Sequence, residues 1–365
     1  MSLLEVSDLR VSFPTADGVV QAVRGVSFAV ERGRTLGIVG ESGSGKTVLT
    51  QSLLGLTPGG QISGQAVFDG VNLVGLDTRS MQKIRGKEIA VIFQDPLTSL
   101  HPLYKIGWQI SEMIRAHDKS ISKSAATDRA IELLGRVGIP RPRERVNDYP
   151  HQFSGGMRQR AMIAMAISLN PKLIIADEPT TALDATVQAQ ILDLLLRLQQ
   201  ESDTALLMIT HDLGVVADIA DNVMVMYAGR AAEKATKRDI FYAPHHPYTK
   251  GLLESIPHSS AGRERLIPIT GQPPSLIRLP DGCAFHPRCA YVMDRCLTTQ
   301  PDLIPVGDAG EHRSACYLPA AATGLTDDAE HQRTRAVELG RTSTRATEVA
   351  RAIASAPESE GSVIA

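Results

Sequence analysis

An α/β fold built on a parallel sheet is the first expectation from this sequence, and three observations carry it. Residues 36–40, reading LGIVG, form a short apolar run that opens into the glycine-rich GESGSGKT and then a helical stretch over 46–54. Further apolar runs of strand length lie at 172–177, 205–210 and 222–227. The amphipathic stretch 185–200 separates the first two of these. Alternation of this kind implies parallel strands with helices on both faces.

The remaining elements follow in chain order. Residues 3–30 alternate apolar and polar side chains around Asp17 and Gly18, which predicts antiparallel strands. From about 96 to 160 the pattern is mostly helical, with breaks at 138–142 and 149–150, and it reads as a helical insertion. A second segment begins near Phe241, richer in proline and containing every cysteine of the chain. The expected division is a first domain over 1–240, a small extension over 241–319 and a tail over 320–365. That tail has few large apolar side chains and is expected to be disordered, with one weak helix at 346–354.

Bulk properties exclude several classes. With 365 residues, 43% of them hydrophobic, the chain has ample material for a large core. A formal charge of -2 gives no general reason for nucleic-acid binding. No apolar run approaches the roughly 18 residues a bilayer span needs. The start, MSLLEVSDLR, lacks the basic and apolar regions of a signal peptide. A cytoplasmic protein is expected, reaching any membrane through partners.

The chemistry-bearing residues fall into two groups. In the loop holding Gly40, Ser42, Gly43 and Gly45, glycines let backbone N–H groups close around phosphate oxygens at a helix N-terminus. Lys46 adds a positive charge for the β- and γ-phosphates, and the Thr47 hydroxyl is a Mg²⁺ ligand. Asp177 ends the apolar run LIIAD, where a carboxylate can hold Mg²⁺ from the far side of the phosphates. Glu178 follows it and is placed to polarise an attacking water. Taken alone, the pair would read equally well as a solvated acidic strand end; behind a matched phosphate loop it does not. The second group is Ser154, Gly155, Gly156 and Gln159 in FSGGMRQR, where Ser154 also suits a helix N-cap.

The phosphate loop, Gln94 in FQDP, Ser154–Gln159, Asp177 with Glu178, then Ala182, Leu183, Asp184 and finally His211 stand in an order that resembles the ABC-transporter ATPases over roughly residues 1–240. The resemblance implies a P-loop ABC ATPase domain with an antiparallel β subdomain and the helical insertion. It also implies a head-to-tail dimer with ATP sandwiched between the phosphate loop of one cassette and the SGG segment of the other. By the same resemblance Phe13 stacks on adenine, although a strand phenylalanine also suits the core. Gln94 joins Thr47 and Asp177 around Mg²⁺ and senses the attacking water. His211 contacts the γ-phosphate, and Asp184 acts across the dimer interface, though it equally suits a helix cap.

The stretch 93–110, the HPYT at 246–249 and the cysteine segment resemble the oligopeptide/dipeptide-type ABC importers, with His101 where an asparagine is typical. Cys283, Cys289, Cys296 and Cys316 follow C-x5-C-x6-C-x19-C. Four thiolates suit Zn²⁺ or an iron–sulfur cluster, and spacing does not choose; four free buried cysteines remain the alternative. The resemblance favours a 4Fe–4S cluster, with His286 a less favoured ligand. The expected function is the ATPase of an importer of oligopeptides or dipeptides, peripheral on the cytoplasmic face of the membrane. Its implied partners are two permease subunits, a second and different ATPase chain, and an extracytoplasmic solute-binding protein. Uptake of nickel or another small solute, an exporter subunit, and a soluble ATPase acting on DNA or ribosomes are the alternatives. The last usually carries a coiled-coil insertion or a second ATPase domain, and neither is present.

Overall fold

The computed structural model describes residues 2–181, 183–255, 269–307 and 310–319. Ala182 and the tail with its expected helix at 346–354 lie outside the described residues. Strands Ser2–Thr15 (β1) and Gly18–Glu31 (β2) form the expected hairpin, with Phe13 opposite Val20. In β2, Val26, Phe28 and Val30 are buried between exposed Ser27, Ala29 and Glu31, the two-residue period of a strand with one wet face. Thr35–Val39 (β3) is buried at every position and leads through the glycine loop into helix Lys46–Leu53 (α1). Gln61–Phe68 (β4) and Val71–Asn72 (β5) then extend the hairpin into a four-stranded antiparallel sheet ordered β2-β1-β4-β5.

Helix Thr78–Ile84 (α2) precedes the short strand Ile89–Ile92 (β6). The insertion follows as Pro96–Ser99 (α3), Ile106–His117 (α4), Lys123–Arg136 (α5), Pro142–Arg145 (α6) and Gly155–Ala166 (α7). Both expected breaks are present: Gly138 turns the chain at φ 77°, and Pro150 opens a short 3-10 turn. Next come Leu173–Asp177 (β7), Ala185–Ser202 (α8), Ala205–Thr210 (β8), Leu213–Ile219 (α9), Asn222–Tyr227 (β9) and Arg230–Thr236 (β10). The C-terminal segment adds Lys237–Tyr242 (α10), Pro247–Glu254 (α11), Asp294–Thr298 (α12), Ile304–Pro305 (β11) and Arg313–Ser314 (β12).

The larger sheet is ordered β11-β12-β10-β9-β3-β8-β7-β6. Strands β9, β3, β8, β7 and β6 are parallel, as expected, but β10, β12 and β11 add antiparallel partners. The sheet is therefore mixed, a correction to the parallel expectation. Its cause is local: β9 and β10 are joined only by Ala228 and Gly229, both at positive φ, and so tight a turn can join only antiparallel neighbours. Three apolar layers hold the assembly. One packs the two sheets together through side chains such as Val26, Ile38, Leu49 and Ile209. Another seats the insertion and α8 on the main sheet through Ile110, Leu134, Ile163 and Leu195. The third binds the C-terminal segment to β9 and β10 through Val225, Tyr227, Tyr248 and Phe285.

Candidate nucleotide-binding site

The loops leaving β3, β7 and β8 share the carboxyl edge of the parallel strands, where open α/β sheets receive ligands. A cavity of about 930 Å³ opens there, lined by the loop from Gly40 to Thr47 together with Phe13, Gln94, Glu178, Thr181 and His211. Glycine is required in the loop by close approach as well as by conformation. A Cβ on Gly40 would stand 2.2 Å from Met226 O, and one on Gly45, at φ 98°, 2.3 Å from Ala22 O. The loop is thus pressed against β2 and β9, with its other face left to the cavity.

Lys46 is only 5% exposed. Its Nζ donates to Gly40 O at 2.7 Å and Glu41 O at 3.0 Å, so the ammonium stays inside the loop it serves. Burial lowers its pKa, and Glu178, Asp177 and Glu41 pull the other way. At the next loop position, Thr47 Oγ1 donates to Asp177 Oδ1 at 3.2 Å. Burial raises the Asp177 pKa, and the Thr47 bond opposes it. These two oxygens are hard donors of the kind Mg²⁺ takes while keeping several waters, so the residues fit that ion.

Glu178 sits at φ 47°, a left-handed conformation unusual for glutamate, fixed by its N–H donating to Ile209 O at 2.8 Å. Its Oε2 gathers three partners: Gln94 Nε2 at 3.0 Å, Thr181 Oγ1 at 2.9 Å and His211 Nδ1 at 3.3 Å. The expected Gln94, Glu178 and His211 therefore meet at one oxygen. Gln94 spends its amide on Glu178, while Thr47 and Asp177 face each other.

Other expected residues lie elsewhere. Ser154, Gly155, Gly156 and Asp184 are not among the residues lining this cavity. Ser154 caps α7 through Met157 N, and Asp184 caps α8 through Val187 N at 2.9 Å. Ser154 and Gly155 are exposed, whereas a Cβ on Gly156 would stand 2.8 Å from Val187 Cγ1. Gln159 is 1% exposed and donates to Pro179 O at 2.6 Å, pinning the loop that follows Glu178. The SGG segment thus begins a helix with Ser154 and Gly155 exposed, the first turn leaving N–H groups without intrahelical partners.

The sequence left several cavity residues unread. Thr181 follows Glu178 closely enough for spacing to have flagged it. Leu252, Ser255, Ile269 and Leu276 of the C-terminal segment also line the cavity; leucines, an isoleucine and a lone serine in a proline-rich stretch give no such signal.

All four cysteines, with His286, line one small cavity of about 20 Å³. Burial is the main cause of raised pKa at Cys283, Cys289 and Cys316, the last reaching about 11, with neighbouring cysteines adding to each shift. The His286 Nδ1 lies 2.9 Å from Cys283 O. Among the described residues no three His, Cys, Asp or Glu side chains are gathered tightly enough for a single metal ion. A lone Zn²⁺ needs its sulfurs about 2.3 Å from one point. The thiols are soft donors, but among the described residues they form no single-ion site.

Mixed central sheet, glycine loop, strand-end acid pair and helical insertion together define a phosphate-loop ATPase cassette. The ABC transporter profile matches residues 23–181, and the profile of the oligopeptide/dipeptide transporter C-terminal region matches residues 232–296. An oligopeptide transport ATP-binding protein of Bacillus subtilis (strain 168) is 55% identical over 323 residues, 87% of this chain and 90% of that protein. A dipeptide transport ATP-binding protein of the same organism is 50% identical over 319 residues, 87% of this chain and 94% of that protein. A dimeric bacterial ABC transporter cassette of known structure superposes with TM-score 0.59 at 26% identity, covering 64% of this chain and 99% of that one. The chain belongs to the ATP-binding subunits of the oligopeptide/dipeptide ABC transporter family.

Proposed function

We propose that this chain is the ATP-hydrolysing motor of an importer for oligopeptides or dipeptides, peripheral on the cytoplasmic face of the membrane. The observation that carries the reading is a divided site. One surface gathers the phosphate loop and Glu178 around a cavity, with Asp177 bonded to Thr47 of that loop, and another exposes Ser154 and Gly155 away from that cavity. Lys46 and the loop N–H groups would hold the phosphates, while Phe13 beside Val20 offers a face to the base. Glu178, kept in place by Gln94, Thr181 and His211, would take the proton of the attacking water. Mg²⁺ held by Thr47 and Asp177 would neutralise phosphate charge. Ser154, Gly155 and Gly156 of a second cassette would close over the γ-phosphate, with Asp184 near that interface. ATP drives closure because only the closed pair offers it both halves.

Passing that motion on requires contact with permease subunits. Around α3 and α4 the chain exposes Leu97, Leu103, Tyr104 and Trp108, with Leu103 77% and Trp108 49% exposed. His101 packs at a tilt on Tyr104, and Tyr104 stacks on Trp108, with centroids 4.6 and 4.2 Å apart. An apolar hollow of about 280 Å³ lies between Phe93, Met113, Met162 and Met165, close to Gln94 in sequence. Such a patch on a polar surface marks an interaction site. Leu103→Glu with Trp108→Glu is expected to keep ATP binding and to lose co-purification with two permeases. Retention of both subunits would remove this surface from the interface. Mass spectrometry of the parental complex should also show a second, different ATPase chain and a solute-binding protein. ATP turnover stimulated by nickel and not by peptides would favour the small-solute alternative, and ribosome co-sedimentation the soluble one.

The four thiols are proposed to hold a 4Fe–4S cluster with a structural or regulatory role; what supports this reading is the importer-type cysteine segment and the one cavity that all four thiols line. Anaerobically purified protein is expected to contain iron and acid-labile sulfide in equal amounts. Stoichiometric zinc without sulfide would overturn the cluster.

A further inference from the structure

Among the described residues, the C-terminal segment bonds to the phosphate loop at Glu41. The Arg288 guanidinium forks onto its carboxylate, NH1 to Oε2 at 2.7 Å and NH2 to Oε1 at 2.9 Å. NH1 also donates to Tyr227 OH at 3.3 Å, NH2 to Ile269 O at 3.5 Å, and Nε to Thr270 O at 3.0 Å. All five donors of the guanidinium are therefore used, on a side chain only 4% exposed. Its charge also lies over the rings of Tyr227 and Phe285. A buried cation satisfied this completely is a built feature, because guanidinium burial is costly unless every donor finds a partner.

Glu41 is held three times more. Its N–H donates to the Tyr248 OH at 2.9 Å, and its carbonyl accepts from Lys46 Nζ at 3.0 Å and from Ser44 N–H at 3.2 Å. Tyr248 is fully buried in α11. That helix is anchored at its start, where buried Glu233 accepts the N–H groups of His245 at 2.7 Å and His246 at 3.0 Å and pairs with His312 Nε2 at 2.7 Å. Burial pushes the His246 pKa down to about 4, so the ring is neutral at pH 7, and its Nδ1 accepts Tyr248 N–H at 3.1 Å. Arg288 sits in the 3-10 turn His286–Arg288, directly before Cys289.

We propose that Arg288 and Tyr248 are positioning residues for ATP, setting the phosphate loop through Glu41 and cancelling that carboxylate's charge beside the incoming polyphosphate. The inference rests on the nucleotide-site reading above. Arg288 touches no substrate, so its loss should act on ground state and transition state alike and appear in affinity for ATP, not in kcat.

The test titrates the full-length chain with MgATP by calorimetry and records its melting curve. Arg288→Ala is expected to raise the Kd about tenfold, the effect of exposing ATP to one screened unit charge. The double variant Arg288→Ala with Glu41→Gln should return to within about threefold of the parent, since the repulsive charge is then gone. A purely structural bridge predicts the opposite, because the double variant removes both partners and should bind no better than the single. If Arg288→Ala does not fold, Arg288→Lys carries the test: it keeps the charge, loses the planar fork, and should weaken binding about threefold without changing kcat. A Kd within error of the parent in a cooperatively melting Arg288 variant overturns the proposal, as does a double variant no tighter than Arg288→Ala. Lys46→Ala separates this from the wider reading. If it still binds ATP, the nucleotide site itself is wrong; if it loses ATP while Arg288→Ala does not, only the bridge is wrong.

Discussion

Glu178→Gln is expected to bind ATP as tightly as the parent and to lose turnover by about 10²–10⁴-fold, the range for removing a general base. The geometry favours a clean result. The glutamine amide oxygen can still accept from Gln94 Nε2 and Thr181 Oγ1, so the left-handed turn and its contacts survive. What disappears is the charge, which at present raises the proton affinity of Asp177 and supports the ammonium form of Lys46. One negative charge fewer beside a polyphosphate leaves no reason for weaker ATP binding, and a closed two-cassette complex should accumulate. Phosphate release and size-exclusion chromatography with ATP check both halves of this expectation. Near-normal turnover would refute Glu178 as the base.

The second large effect belongs to the exposed half-site. A Cβ at Gly155 meets nothing within 4 Å, so Gly155→Asp should melt like the parent and bind ATP normally as an isolated chain. An acidic residue in the first turn of α7 even suits the helix dipole. In a closed pair the same carboxylate would stand against the γ-phosphate of the partner site. Two unit charges about 4 Å apart repel by about 4 kcal/mol at an effective dielectric of 20, or about 10³-fold in rate. Turnover at the site this surface completes should fall accordingly, measured in the assembled transporter. Unchanged turnover would mean that the SGG surface meets no nucleotide. Gly156→Ala would not be diagnostic, because its Cβ would press on Val187 within the same chain.

Much of the fold was legible because its signals are local. The hairpin around Asp17, the glycine loop, the helix from Ala185 and the strands at 205–210 and 222–227 each show their period or punctuation within a few residues. Strands β4 and β6 were missed because one is largely exposed and the other is four residues long, too short to show a period. The antiparallel edge was missed in two parts. The Ala228–Gly229 turn into β10 is a local signal that went unread, whereas β12 is two residues long and pairs with β10 some eighty positions away, which no window of sequence reveals.

The candidate site divides the same way. Residue chemistry and order by themselves determined a phosphate loop, a strand-end acid pair and an SGG segment, because phosphate, Mg²⁺ and water each demand particular atoms at short spacings. Only the tertiary structure decided how these groups meet. It brings Gln94, Thr181 and His211 to one oxygen of Glu178, leaves Ser154 and Gly155 facing outward, and buries Gln159 beneath Pro179. It also carries Arg288 from beside a cysteine to Glu41 across 247 positions of sequence. Contacts of that kind depend on where packed layers place distant segments, and that placement is a property of the whole core, absent from any single stretch of chain.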